Sequence, residues 1–360
     1  MHEHALITGG CGFVGSFLAI ALREAGLCRN VTALDNLHRR GSELNLARLK
    51  RAGVGFVHGD IRCAEDLAPF AGATDLVVEC SAEPSAQAGY GSSPEYLIQS
   101  NLTGCFHCLE IARRSKADFL FLSTSRVYPY RLLNSLSFEE TDTRFRLTAR
   151  QELPGASEHG VSERFPLDGA RSLYGMTKLA AELMIQEYAD AYGLRAVINR
   201  CGLLTGPWQM GKTDQGVIVL WMAAHYFRRG LRYIGFEGTG KQVRDFLHIA
   251  DLADLVLAQV REMESYRGRV FNVGGGVPGS LSLRECTELC REITGNAISI
   301  APVAENRPAD VRIYVTDHRA VSAAAGWAPR RDARRTLADI YQWIQSEESA
   351  VERVLLGSLC

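Results

Sequence analysis

One turn near the start of the chain limits what it can fold into. Residues 8–16 read Thr-Gly-Gly-Cys-Gly-Phe-Val-Gly-Ser, which holds Gly10-x-Gly12-x-x-Gly15 and, overlapping it, Gly9-x-x-Gly12-x-x-Gly15. The apolar run Ala5–Thr8 before it reads as a strand, and Phe13–Ala25 after it has a helical pattern. Glycines in that context permit a tight turn and a close backbone approach, and the helix N-terminus faces an anion with its free N–H groups. Asp35 stands 20 residues after Gly15, at the end of a second strand, Val31–Leu34. A carboxylate there can accept hydrogen bonds from an adenosine ribose and repels a 2′-phosphate, which predicts NAD rather than NADP. Arg39 and Arg40 pull the other way, because they can hold a phosphate. Gly59-Asp60-Ile61, after a third strand at Val54–Val57, reads as an adenine contact or as an ordinary turn.

The first half goes on alternating. A helix is expected near Glu43–Ala52, strands at Leu76–Glu79 and Phe119–Leu122, and one long helix from Glu95 to Arg114 between them. This alternation, with near-continuous apolar strands, predicts an α/β fold: a Rossmann-type doubly wound parallel sheet covered on both faces. Residues 129–171 are polar and without a clear period, a long loop of the kind that often serves function. A helix is expected from Ser172 to about Tyr192, then a strand at Arg195–Asn199. Beyond Cys201 the elements are shorter and mixed. The expected division is a nucleotide-binding domain over 1–200, with about 243–265 packing back onto it. A smaller mixed α/β substrate-binding part follows over 201–360.

Bulk composition removes several function classes. With 360 residues, 46% of them hydrophobic, a sizeable core can be buried. A formal net charge of -1 gives no electrostatic footprint for nucleic acid. The longest apolar run, Gly216 to Phe227, is too short to span a bilayer and suits a buried helix. No secretory signal pattern opens the chain, so a cytoplasmic protein without a membrane partner is expected. The pairs Cys105/Cys108 and Cys286/Cys290 lie in helix-like segments with no second pair at zinc-site spacing. They read as core packing, with no metal expected.

Two segments carry chemistry. Tyr174-Gly-Met-Thr-Lys178 opens the helix after the long loop, and positions i and i+4 share a helix face. An ammonium beside a phenol favours the phenolate. A tyrosine acting as base near neutrality needs its pKa lowered by about 3 units, or roughly 4 kcal/mol. Leu122-Ser123-Thr124-Ser125-Arg126-Val127-Tyr128 follows the fifth strand, at the carboxyl edge where open α/β sheets bind ligands. Ser123, Thr124 and Ser125 all offer a hydroxyl there, and spacing alone does not choose among them.

With these motifs in place, the chain resembles the extended short-chain dehydrogenases/reductases over nearly its whole length. The resemblance implies a catalytic set of Thr124, Tyr174 and Lys178, Thr124 being fixed by counting back from Val127-Tyr128. It implies a cofactor site of Gly9, Gly12, Phe13, Val14, Gly15, Asp35, Asn36, Asp60, Ile61, Cys80, Ser81, Ala82, Asn101, Ser123 and Arg200, besides Tyr174 and Lys178. Cys80-Ser81-Ala82-Glu83 occupies the segment that lines the nicotinamide side.

Within that family three departures narrow the reading. Ser125-Arg126 stands where the dehydratase branch has Asp-Glu, so the acid that expels water is missing. The decarboxylase branch also tends to carry Glu at Arg126. Arg200 is followed by Cys201-Gly202-Leu203, without the asparagine of a typical 4-epimerase. Gly59-Asp60-Ile61-Arg62, Asp214-Gln215-Gly216, Gly240-Lys241-Gln242-Val243-Arg244-Asp245 and Ser280-Leu281-Ser282-Leu283 are similar to segments of CDP-paratose (CDP-tyvelose) 2-epimerases. Ala82-Glu83-Pro84-Ser85 departs from them, where Gly-Gln or Ala-Gln is usual. The resemblance implies an NAD-dependent epimerase of a CDP-sugar, with Glu83, Ser125, Arg126, Gln215, Gln242, Arg244 and Arg307 at the substrate. Arg244 and Arg307 are expected on the diphosphate, where a guanidinium fork suits phosphate oxygens. A UDP-sugar 4-epimerase or decarboxylase, and a non-catalytic NAD-binding protein, are the alternatives. Apolar surface on the helices around 95–114 and 172–192 predicts a homodimer.

Overall fold

The computed structural model describes residues 1–211 and 215–355. Its central sheet has seven strands. Five come from the first third: β1 (His2–Thr8), β2 (Cys28–Asp35), β3 (Gly55–His58), β4 (Leu76–Glu79) and β5 (Asp118–Thr124). The spatial order is Arg269–Val273, Ala196–Cys201, β5, β4, β1, β2, β3. β1 pairs with β2 on one side and β4 on the other, and β2–β3 and β4–β5 continue outward, all parallel. The chain winds one way from β1 to β3 and the other way from β4. The strand order therefore reverses at β1, and the crevice beyond the carboxyl ends of β1 and β4 is where such sheets take ligands. The expected Rossmann-type sheet is present.

The strands are apolar because both faces are covered. All seven residues of β5 and all four of β4 are buried. Leu6, Leu34, Val77, Phe119 and Ile198 of the sheet share a core with Leu109 and Ile185 from two helices, Gly104–Ser115 and Leu173–Tyr192. Burying one such side chain contributes about 1.5–3 kcal/mol. Cys105 and Cys108 lie in this core as free thiols, and Cys286 and Cys290 are equally buried elsewhere. Core packing, as expected, accounts for both pairs.

Three expectations change. The long helix Glu95 to Arg114 is interrupted: Glu95–Ile98 is α-helical, Gln99–Thr103 is a π-turn, and the α-helix resumes at Gly104. The 129–171 segment is not a featureless loop. It holds a short helix, Tyr130–Asn134, and two small antiparallel hairpins, Phe138–Glu140 with Phe145–Leu147 and Ala156–Ser157 with Gly160–Val161. The division of the chain also falls elsewhere. One compact unit comprises 1–124, 173–200 and 252–271, the other 125–172, 201–251 and 272–360. Segment 125–172 thus falls to the mixed unit rather than to the nucleotide-binding half, and the returning segment begins at 252.

The second unit is built around the strand Val243–His248. It pairs in parallel with Leu203–Thr205 and Ile313–Tyr314 and antiparallel with Ser280–Ser282. The apolar run forms a buried helix, Val217–Tyr226. Among the described residues no helix is long and apolar enough to cross a membrane.

Candidate active site

The glycine turn joins β1 to the helix α1 (Phe13–Glu24). Gly9 has φ +62°, and a Cβ there would lie 2.9 Å from the carbonyl of Cys80, at the end of β4. At Gly15 a Cβ would come 2.2 Å from the Gly9 carbonyl oxygen, so the turn closes only without side chains at these two points. Gly12 precedes α1 and brings no side-chain cap to its N–H groups, leaving that end dressed for an anion. Phe13 and Val14 in the first turn are half-buried.

Asp35, at the end of β2, accepts from the N–H of Cys11 at 3.0 Å and from that of Leu37 at 2.8 Å. Burial pushes its carboxyl up, against these backbone donors. It thus braces the glycine turn through Cys11. Asp60 is occupied too: Asn36 donates to it at 2.8 Å, and Arg62 grips it at 2.7 Å. Burial works against its charge, but Arg62 and Asn36 prevail and bring the pKa down to about 2. Ile61 is buried, and its carbonyl lies 2.8 Å from Nδ1 of His107.

Thr124 ends β5, and Tyr174 and Lys178 lie in the first turns of the helix Leu173–Tyr192, all three buried. Thr177, between them, donates to the Tyr174 carbonyl at 2.8 Å. Asn101 sits in the π-turn. Its side chain accepts from the Glu83 N–H at 2.7 Å and donates to the Glu83 carbonyl at 3.1 Å and to Thr177 at 3.2 Å. One amide therefore ties the loop after β4, with Cys80, Ser81 and Ala82, to the Tyr174 helix. A π-turn in mid-helix is a frequent mark of a functional site. The Glu83 carboxylate accepts from the N–H of Ser85 at 3.1 Å.

Ser123 and Arg200 sit in a buried cluster. Ser123 donates to Glu182, and Arg200 donates to the same carboxylate at 2.7 Å through Nη2 and 3.0 Å through Nε. Glu182 is fully buried. These contacts hold the Leu173–Tyr192 helix on the sheet beneath Tyr174, and Glu182 was not singled out in the sequence. Its signal was the spacing 174, 178, 182, one helix face. Glu79 was missed as well. It is the charged last residue of an otherwise apolar strand, and its carboxylate lies 3.6 Å from Lys178 Nζ. Lys178 also lies over the Phe121 ring, 4.3 Å from its centre. Burial alone would lower the Lys178 pKa, but Glu79 and then Tyr174 more than offset it, so the ammonium is favoured.

In the second unit, Ser125 and Arg126 form a 3-10 turn, and Arg126 donates to the Ala309 carbonyl at 3.3 Å. Arg244 donates to the carbonyl of the preceding residue, Val243, at 2.8 Å, to Asp310 at 3.2 Å and to the Val311 carbonyl. Burial, with Arg126 nearby and Asp310 opposing, brings Arg244 down to about 10. Around the Arg244 guanidinium lie one other cation, Arg126, and two carboxylates, Asp310 and Asp245. Arg307, three residues before Asp310, is half-buried, and its guanidinium has no partner among the described residues. Gln242 donates to the Ile234 carbonyl at 3.0 Å, and its buried Oε1 has no partner there. Gln215 is half-buried, and Asp214 lies outside the described residues.

A family model described as the NAD dependent epimerase/dehydratase family matches residues 5–274. The chain belongs to that family. It is 31% identical to the CDP-paratose 2-epimerase of Salmonella typhi, across 95% of this chain and 99% of that one. A dTDP-glucose 4,6-dehydratase of Mycolicibacterium smegmatis is 28% identical, across 96% and 94%. Among solved structures, a double mutant of the dTDP-glucose 4,6-dehydratase DesIV from Streptomyces venezuelae, with NAD and DAU bound, superposes with a TM-score of 0.80. That match is at 24% identity and covers 97% of this chain and 99% of that one. The expectations of an enzyme, of NAD and of this fold class are borne out. The residues fit the cofactor: an uncapped helix end behind a turn that tolerates no Cβ, with a carboxylate at the end of β2.

Proposed function

We propose that this epimerase/dehydratase-family enzyme inverts a sugar carbon of a nucleotide-linked sugar, at C2 of a CDP-sugar, through a transient ketone. The observation that carries this is Tyr174 and Lys178 one helical turn apart and both buried, with Ser125-Arg126 where the resemblance puts the acids that expel water. The 31% identity to a CDP-paratose 2-epimerase supports the finer choice of nucleotide and carbon. Gly9, Gly12, Gly15 and the α1 N-terminus hold the pyrophosphate, and Asp35 takes the adenosine ribose. Bound NAD supplies a hydride acceptor that can return the hydride to the other face of the ketone. Tyr174 takes the proton of the sugar hydroxyl and gives it back. Lys178 keeps the phenol acidic, and Thr124 orients the reacting oxygen. Arg126, Arg244 and Arg307 bind the diphosphate. Offering CDP- and UDP-sugars side by side and reading products by NMR tests this. C2 inversion of the CDP-sugar is expected. C4 inversion of a UDP-sugar or release of carbon dioxide contradicts it, and binding of NAD with no turnover of any sugar nucleotide favours a non-catalytic role.

The homodimer belongs to the same reading. Phe106, Met176, Leu183 and Tyr192 are exposed on the helices Gly104–Ser115 and Leu173–Tyr192, with Leu183 55% and Tyr192 59% exposed. Apolar side chains on two neighbouring helices favour a partner. Sedimentation equilibrium is expected to give twice the 39.6 kDa chain mass, and Leu183→Glu to shift the protein to monomer.

A further inference from the structure

Glu79 has no part in the reaction just described, yet it sits against the lysine that the reaction needs. Its carboxylate is 1% exposed and the Lys178 side chain 3%, with 3.6 Å between Nζ and Oε2. That Oε2 has no hydrogen-bond partner among the described residues. A carboxylate so placed is costly unless an opposite charge answers it. Conversely, an ammonium over a phenyl ring in the interior tends to release its proton unless an anion holds it.

Resting on the reading that Tyr174 and Lys178 are catalytic, we propose that Glu79 is the positioning residue of that pair. It holds Lys178 in place as a cation and sets the pH window in which Tyr174 works as base. The groups facing the two charges come from every neighbouring element. Tyr174 lies four residues before Lys178 on the same helix, and Cys80 follows Glu79 at the end of β4. Cys105 and Cys108 reach in from the helix Gly104–Ser115, and Phe121 of β5 lies beneath the ammonium. Burial pushes both of those thiols well up, so they stay neutral. Burial pushes the Glu79 carboxyl up, and Lys178, 3.6 Å away, opposes this. The negative charge so held opposes loss of a proton from Lys178 directly and from Tyr174, one helical turn before it, across a longer distance. Activity requires the phenol deprotonated and the amine protonated. Glu79 therefore raises both limbs of the pH profile together, and removing its charge moves the whole bell to lower pH.

The test titrates the near-ultraviolet absorbance of the phenolate in NAD-loaded protein. Wild type, Glu79→Gln and Glu79→Asp are each corrected by subtracting the same protein carrying Tyr174→Phe. Glu79→Gln keeps the size of the side chain and a group that can accept a hydrogen bond, and removes only the charge. The Tyr174 midpoint is expected to fall by about one pH unit in Glu79→Gln. In Glu79→Asp, where the charge is kept but drawn back, a smaller fall is expected. Both limbs of the kcat profile are expected to follow. A Tyr174 midpoint unmoved in Glu79→Gln overturns the proposal, whatever happens to stability. If that variant fails to fold, an unmoved midpoint in Glu79→Asp overturns it. Because the absorbance needs no sugar, the two readings separate. Full turnover by Tyr174→Phe together with a shifted midpoint supports the coupling and removes the catalytic reading.

Discussion

Tyr174→Phe is expected to lower kcat about 10²–10⁴-fold while leaving the fold and the NAD content intact. The ring is buried, and the change removes only its hydroxyl, so packing is conserved. Lys178, Ser123 and Thr124 do not replace it as base. Lys178 is held as an ammonium by Glu79 and has no lone pair to offer. Ser123 is engaged with the buried Glu182. Thr124 carries a hydroxyl that can orient the substrate but titrates far above neutrality. Turnover of the sugar nucleotide, and release of NAD on denaturation, are measured on the same preparation. A variant that keeps most of its rate would remove the phenol from the reaction.

The largest loss of stability is expected from Arg200→Met, about 3–5 kcal/mol by chemical denaturation of the NAD-loaded enzyme. The guanidinium makes two contacts to Glu182 at 3.0 Å or less, and both side chains are sealed from water. Removing it leaves a buried carboxylate with Ser123 but no cation. The cost arises from the stranded charge rather than from the lost pair. The double variant Arg200→Met with Glu182→Leu is accordingly expected to recover most of the stability. A double variant as unstable as the single one would locate the loss in packing around the helix Leu173–Tyr192 instead.

The legible parts of the molecule are those whose physics is local. β1, the glycine turn and α1 follow one another within 25 residues, so spacing alone fixes their geometry. The buried strands announce themselves as apolar runs, and Tyr174 and Lys178 as an i, i+4 pair. The rest depends on residues distant in sequence. Glu79 and Lys178 are 99 positions apart, and only the parallel winding of β4 and the later helix brings them together. The π-turn was hidden because an apolar period runs through Glu95 to Ser115 without a break, and the extra residue is placed by the Asn101 contacts to Glu83 and Thr177. The hairpins within 129–171 have strands of two or three residues, too short to show alternation. Besides pairing with each other, they lean on residues distant in sequence: Phe145 N–H donates to the Lys241 carbonyl at 3.1 Å, and Val161 N–H to the Val315 carbonyl at 2.8 Å. Ser123 and Arg200, expected at the cofactor, lie near the ends of their strands, and their polar groups turn toward Glu182, a residue distant in sequence.

The most direct measurement uses a CDP-sugar carrying deuterium at C2, incubated with the NAD-loaded enzyme in ordinary water and followed by NMR. Inversion at C2 with the deuterium kept on the same carbon is the expected result, because a hydrogen removed as hydride beside Tyr174 returns without meeting solvent. Loss of the label to water, or inversion at any other carbon with C2 untouched, would contradict the reading at its centre.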